Sequence, residues 1–273
     1  MQHLKNEESS SFSSPLRRFL ISLGLQVLSF LRFVGELSFF SWKGFTQSFR
    51  RPFPFRETLA QCFVIGNKSL SIVSLIAIFT GMVIALQLAV GLGRFGLKMY
   101  IGQIVGLAIF RELSPVLTCL MLAARVGSGI AAELGSMVVT EQVLALEAMG
   151  ASPVQKLVVP RVISCLVAAP FLTVISNLIG IFGAGLITCS EAGVTAHFFI
   201  DQIKHTVLLQ DFFSGIFKAL FFGYVIAITA CYHGLKTQGG TEGVGLSTTK
   251  AVVHASIIIF ISDFFLTKLF LFF

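Results

Sequence analysis

From residue 69 to 93 the chain reads SLSIVSLIAIFTGMVIALQLAVGLG, 25 residues without one charged side chain. The hydrocarbon core of a bilayer is about 30 Å thick, and an α-helix rising about 1.5 Å per residue crosses it in about 20 residues. The stretch is therefore long enough to span. Composition argues the same way: 55% of the 273 residues are hydrophobic and 12% charged, with a mean hydropathy of +0.88. Soluble domains carry about 25% charged residues, so a soluble globule of this size would lack the charge to cover its surface. The 29 Phe against 3 Tyr and 1 Trp favour rings with no polar handle. The sequence predicts an all-α integral membrane protein.

Four further spans follow, at about 99–124, 162–189, 212–232 and 251–273, interrupted only by Arg111-Glu112, Lys218, Asp263 and Lys268. Between Arg18 and Arg32 only FLISLGLQVLSFL intervenes, too short to cross. Leu20, Leu23, Val27, Leu31 and Val34 recur there at helical spacing, with Arg17, Arg18, Arg32 and Lys43 around them. That pattern predicts an amphipathic helix lying in the interface over 15–50. A polar tail, 1–14, precedes it, and its Ser-rich, acid-containing start does not resemble a cleaved signal or transit peptide. The prolines of RRPFPFRE (50–57) break the helix before the first span.

Five spans put the termini on opposite sides. With the N-terminus inside, 14 of the 20 Lys/Arg fall in 1–68, 125–161 and 234–250, and four (Arg94, Lys98, Lys204, Lys268) fall on the other side. This asymmetry places the N-terminus in the cytoplasm and the C-terminus in the periplasm. The net charge of +7 is concentrated near the N-terminus, as for a lipid-facing segment rather than a nucleic-acid groove. The five cysteines are scattered, with no CxxC and no metal-ligand spacing, and read as small apolar filler. No sustained internal repeat supports an inverted-repeat transporter.

Arg111, Glu112, Lys218 and Asp263 lie at membrane depth. Each costs roughly 2.5–3.5 kcal/mol at a bilayer centre, so four unpaired would cost on the order of 10 kcal/mol, comparable to a domain's net stability. Their charges sum to zero, which predicts pairing or a shared polar cavity. Arg111 and Glu112 sit about 100° apart on a helix and cannot pair with each other, so each looks to another helix, a second subunit or a cavity. An ion-pair network that merely holds the bundle together is the alternative reading.

Between the second and third spans, residues 125–161 begin with small residues (Gly127, Ser128, Gly129, Ala131, Ala132, Gly135, Ser136) suited to close helix approach. A short helix over about 140–149 follows, with Thr140 as N-cap, Glu141 in the first turn and Gly150 as its stop. Val143, Leu144, Leu146 and Met149 are its apolar residues, and Glu141, Gln142 and Glu147 its polar ones. Such a helix either lies on its own bundle or docks into a groove on a cytoplasmic partner. In GLKTQGGTEGVGLSTTK (234–250) no GxxxxGK[ST] occurs, so a phosphate loop is rejected. Its glycines predict a tight turn, with Ser247 or a threonine capping the fifth span. His197 and Asp201 miss the membrane acyltransferase spacing by one residue, and His254 reads as structural. No GxSxG, HExxH or paired-carboxylate motif argues for covalent chemistry, and no catalytic or metal site is expected.

The run RELSPVLTCLMLAARVGSGIAAELGSMVVTEQVLALEAMGASPVQKLVVPR resembles the signature of MlaE-type permeases, the membrane subunits of bacterial lipid ABC transporters. GMVIALQ (81–87), PFLTVISNLIGIFGA (170–184), EGVGLSTTKAVVHAS (242–256) and SDFFLT (262–267) extend the resemblance in the family's order over about 55–270, making 51–273 the permease domain. The resemblance implies a homodimer in the bacterial inner membrane, moving phospholipid between inner and outer membranes. It also implies a separate cytoplasmic ABC ATPase, a periplasmic MCE-domain protein and often a STAS-domain protein. ATP and Mg would sit on the ATPase, with no cofactor on this chain and no nucleic acid. By the same resemblance Ile84, Gln87, Leu88, Arg111, Glu112 and Lys218 line a lipid cavity. Thr140, Glu141, Leu144, Glu147 and Met149 belong to an ATPase-coupling helix, and Asp263 to an intramembrane charge network. The family often has Gly at Ser114 and Arg at Lys250. A membrane lipid-modifying enzyme, or a channel or scaffold that uses no ATP, is the alternative.

Overall fold

The computed structural model describes residues 15–48 and 55–272. The polar tail and the Pro52–Pro54 break lie outside the described residues. The described residues are almost all helical, with short turns between the helices and no strand among them. In chain order the helices are α1 (Pro15–Ser48), α2 (Phe55–Gly93), α3 (Lys98–Val139), α4 (Gln142–Ala148), α5 (Val154–Glu191), α6 (Ala196–Thr206), α7 (Leu209–Leu235) and α8 (Gly240–Phe272). Helices α2, α3, α5, α7 and α8 are long and apolar enough to cross a membrane. The chain divides into two units, Met1–Trp42 and Lys43–Phe273.

In the first unit, the segment expected to lie in the interface forms a helix in which Arg32 pairs with Glu36 one turn on, at 3.0 Å, and Val34, Phe39 and Trp42 are exposed. The second unit is organised around α7, the most buried of the spans, which packs against α3, α5 and α8. Alongside, α2 runs down α5. Its buried positions recur every four residues, through Ser69, Val73, Ala77, Gly81, Ala85 and Ala89. This small-residue stripe lets two backbones approach closely. A Cβ added at Gly81 would overlap the Gly180 carbonyl, and one at Gly183 the Ile78 carbonyl. The opposite face of α2 exposes Phe63, Leu75, Phe79, Val83 and Val90.

Sequence boundaries move at each span, the third and fourth widening to Val154–Glu191 and Leu209–Leu235. The first span continues back to Phe55, and α3 runs 42 residues, from Lys98 to Val139. The small residues of 127–136 thus extend a helix rather than open a loop. Gly127 meets Ile226, and Gly135 sits against Thr237. The short helix is Gln142–Ala148, and Thr140 is not its N-cap. The Thr140 hydroxyl instead donates to the Ser136 carbonyl at 2.9 Å, ending α3, and Glu141 occupies the cap position in the left-handed region, φ 60°. Gly150 (φ +75°) does terminate the helix. The fifth span starts at Gly240, where Gly239 and Gly240 take positive φ, so Ser247 lies inside it and accepts a hydrogen bond from Thr237 at 3.0 Å rather than capping.

Beyond the third span, the segment around HFFID is helical, as α6. Phe199 and Ile203 turn inward to Gly102 and Gly106 of α3, and Asp201 faces His205 at 3.7 Å. With Ala85, Ala89, Ile101, Val105, Ile109 and Ala184 they form an apolar core at that end of the bundle.

Candidate functional site: a buried charge cluster

The centre of the site follows from one missing proton. Pro115 has no N–H to offer the carbonyl of Arg111 four residues earlier. Around it α3 widens into a π turn, Ile109–Leu113, a local feature common at functional sites. Lys218 of α7 reaches that carbonyl, donating from Nζ at 3.1 Å. The same ammonium donates to Glu112 Oε2 at 2.6 Å and Thr267 Oγ1 at 2.7 Å, which uses its three protons. Asp263 Oδ1 lies 3.0 Å away as a second counter-charge. Lys218 is 1% exposed, the largest fully buried side chain among the described residues. The Thr267 hydroxyl is 2.8 Å from the Asp263 carbonyl and 3.2 Å from Glu112 Oε1, joining α8 to the pair.

A second pair sits beside the first. Arg111 Nε is 3.4 Å from Asp211 Oδ1, and the other oxygen of Asp211 accepts from the Leu208 N–H at 2.9 Å, fixing the start of α7. The close approach of α3 and α7 depends on Gly215, where a Cβ would overlap the Phe110 carbonyl. Edge-to-face pairs Phe110–Phe212 and Phe217–Phe270, at 6.0 and 5.7 Å, come from sequence neighbours of these charged residues. The side chains of Arg111 and Glu112 stay 29% and 37% exposed. The cluster therefore has a buried anchor, Lys218, and two partly open groups.

Arg111, Glu112, Lys218 and Asp263 are thus brought together within one chain, on three helices. Asp211, the partner of Arg111, is the member that sequence reasoning missed. Ile84 and Leu88 are half-buried against the apolar core described above, which also receives Phe110 and Leu113 on either side of Arg111-Glu112. Gln87 is exposed. At the other end of α3, Thr140, Glu141, Leu144, Glu147 and Met149 are all exposed, and α4 buries none of its residues. Arg161, buried near the start of α5, pairs with Glu133 of α3 at 2.8 Å and braces this end. His254 stacks on His233 at 4.8 Å, with ring nitrogens 2.8 Å apart, a packing contact between α7 and α8.

Residues 58–269 match the family model described as Permease MlaE. The chain belongs to the MlaE permease family. It is 39% identical over 249 residues to a probable ABC transporter permease protein of Rickettsia felis, covering 91% of this chain and 96% of that one. A probable ABC transporter permease protein of Synechocystis is 44% identical over 214 residues, 78% and 81% of the two chains. The intermembrane phospholipid transport system permease protein MlaE of Haemophilus influenzae is 35% identical over 254 residues, 92% and 97%. The match to the MlaE model spans α2 to α8 and contains every residue of the charge cluster.

Proposed function

We propose that this membrane protein is the permease subunit of an ABC transporter that moves phospholipid between the inner and outer membranes. The observation that carries the reading is the match over residues 58–269 to a permease family, in a chain whose sequence has no nucleotide-binding loop. ATP and Mg then belong to a separate cytoplasmic ATPase. An MCE-domain protein on the periplasmic side, and in some systems a STAS-domain protein, complete the assembly. The Lys/Arg asymmetry supports an inner-membrane protein with its N-terminus in the cytoplasm.

A homodimer is part of this reading. Of the five spans, α8 has the least of its apolar window covered within one chain, 11%, while delivering Asp263 and Thr267 to the cluster. A second copy would cover such a face. On the cytoplasmic side α4 presents Leu144 and Met149, 61% and 72% exposed, as apolar anchors for a groove on the ATPase. Closure of the ATPases on ATP would push α4, and α3 would carry the movement into the bundle, rocking the two permease subunits about their seam.

Within the cluster, roles divide by burial. Lys218 has spent its three protons inside the protein, so it positions Glu112 and the Arg111 backbone. Among the described residues Arg111 has one ion pair, through Nε, which leaves the terminal nitrogens of its fork for a lipid phosphate, a strong charge-assisted contact. Glu112 balances that charge during loading and release. The acyl chains take the apolar wall that includes Ile84 and Leu88. The test is transfer of fluorescent phospholipid between vesicles by the reconstituted complex. Glu112→Gln is expected to leave the complex assembled but slow transfer about tenfold, the scale of one charge-assisted bond. Unchanged transfer would reject the assignment. A membrane lipid-modifying enzyme would instead turn lipid over with no ATPase present.

A further inference from the structure

Between α2 and α3, well away from the charge cluster, a groove of about 240 Å³ is lined by Gln61, Lys68, Ser69, Arg125, Ile130 and Glu133. Its depth is set by the sequence. The charge-free stretch of α2 begins at Ser69, directly after Lys68, and that of α3 ends at Ala124, directly before Arg125. The two helices therefore leave the hydrocarbon side by side, and the two cations at their exits face one groove. That is the level of lipid headgroups, where long basic side chains keep their charge in water and their stems on apolar surface.

The charges within the groove are unequal. Lys68 and Arg125 are both exposed. Lys68 forms no ion pair among the described residues. Arg125 makes one hydrogen bond, from Nη1 to the hydroxyl of buried Ser69 at 3.2 Å, which aims the guanidinium without neutralising it. The only carboxylate lining the groove, Glu133, is engaged by the buried Arg161 at 2.8 Å. Two cations thus remain uncompensated beside an apolar wall. A guanidinium fork and a point ammonium together fit the oxygens of a phosphate diester.

We infer that this groove is a phospholipid headgroup site, taking the phosphate of a lipid whose tails lie along the apolar faces of α2 and α3. It is distinct from the charge cluster. Arg125 follows Arg111 by 14 residues on α3, about 21 Å along the helix. A lipid held here would sit in the leaflet at the opposite end of α3 from α6, at a point of entry to or exit from the bundle. The site depends on charge and depth alone, so it would exist in a scaffold as well as in a transporter.

The test is native mass spectrometry of the purified, delipidated full chain in detergent, titrated with dioleoylphosphatidylglycerol and, separately, dioleoylglycerol. With Arg111→Gln in the background, which removes the cationic fork proposed for the cluster, the chain is expected to retain one phosphatidylglycerol that dioleoylglycerol does not replace. Lys68→Gln should weaken that retention about fivefold, the scale of one partly exposed charge pair, and Lys68→Arg should restore it. Inorganic phosphate at millimolar concentration should not displace the lipid. Displacement by inorganic phosphate alone would overturn the lipid assignment in favour of a free phosphate site. Retention by Lys68→Gln equal to that of this background would overturn the site altogether. So would loss of a co-purifying protein from Lys68→Gln with lipid retention unchanged, since the groove would then be a protein contact. The readout needs neither ATP nor transfer, and it stands or falls separately from the transport reading.

Discussion

Replacing Lys218 by Met removes one ammonium and nothing else of comparable volume, so its consequences can be worked from the contacts. Three acceptors lose their donor: the Arg111 carbonyl, Glu112 Oε2 and Thr267 Oγ1. Asp263, 3.0 Å away, loses its counter-charge. Removing one partner of a buried ion pair costs about 3–5 kcal/mol, because the other charge is left behind. The Glu112 side chain is 37% exposed and water screens part of its share. Asp263, with 20% exposed, and the orphaned carbonyl keep the total near 3 kcal/mol. That is a large fraction of the 5–15 kcal/mol net stability of an ordinary domain. The assay is unfolding of the purified protein in mixed micelles, followed by helical circular dichroism. Lys218→Met should unfold about 10 °C lower, taking 2–4 °C per kcal/mol for a chain of this size. The triple variant Lys218→Met, Glu112→Gln, Asp263→Asn should recover at least half of the loss, since no charge is then stranded. A single variant within about 1 kcal/mol of wild type, or a triple no better than the single, would refute the reasoning.

Gly215→Val should separate α3 from α7, because even a Cβ there overlaps the Phe110 carbonyl. Overpacking of this kind costs about 1–3 kcal/mol, readable in the same unfolding assay and as loss of a Glu112–Lys218 crosslink after cysteine substitution. Leu144→Asp, at an exposed position of α4, should change stability by less than about 0.5 kcal/mol and yet abolish ATPase co-purification. Glu141→Gly should raise stability by about 1 kcal/mol, since a non-glycine residue in the left-handed region costs about that much. No gain in the unfolding midpoint would remove the strain from the account.

Much of the fold was legible because lipid imposes a length. Five charge-free or nearly charge-free stretches are five helices, and the limits of each stretch mark where the side chains leave the apolar phase. Helices do not stop there, however. Arg125, Glu133 and Lys68 continue α3 and α2 into the polar region, where hydropathy falls but backbone hydrogen bonding continues, so the spans proved longer than their apolar parts. Glycines misled in the same way: Gly243 and Gly245 sit inside the first turns of α8, and only Gly239 and Gly240 make the turn. At Thr140, hydroxyl chemistry left two choices, a cap ahead or a bond back to Ser136, and the longer α3 decided for the second.

In the site, the expected pairing occurs for Glu112, Lys218 and Asp263, but the zero sum of four charges is not how it is arranged, since Lys218 faces two carboxylates and Arg111 pairs with Asp211. Asp211 stood one residue outside the fourth apolar stretch and so counted as loop. The available signal was an acid in the first turn of a helix, the position that both a capping bond and a helix dipole favour. The Lys218 contact with the Arg111 carbonyl was not anticipated, although Pro115 four residues on shows in the sequence that this carbonyl lacks its usual donor. The cavity role expected of Ile84, Gln87 and Leu88 came from the family resemblance and not from spacing. Their i, i+3, i+4 spacing puts all three on one side of α2, where Ile84 and Leu88 are half-buried and Gln87 is exposed.

The transporter reading is tested most directly by isolating the tagged full chain from native membranes in mild detergent, identifying the co-purifying chains and lipids by mass spectrometry, and assaying ATPase activity. The account predicts an ABC ATPase and an MCE-domain protein, bound phospholipid, and ATP hydrolysis that Leu144→Asp removes together with the ATPase. A chain purified alone, without ATPase activity, under conditions that hold other ABC complexes together would contradict it.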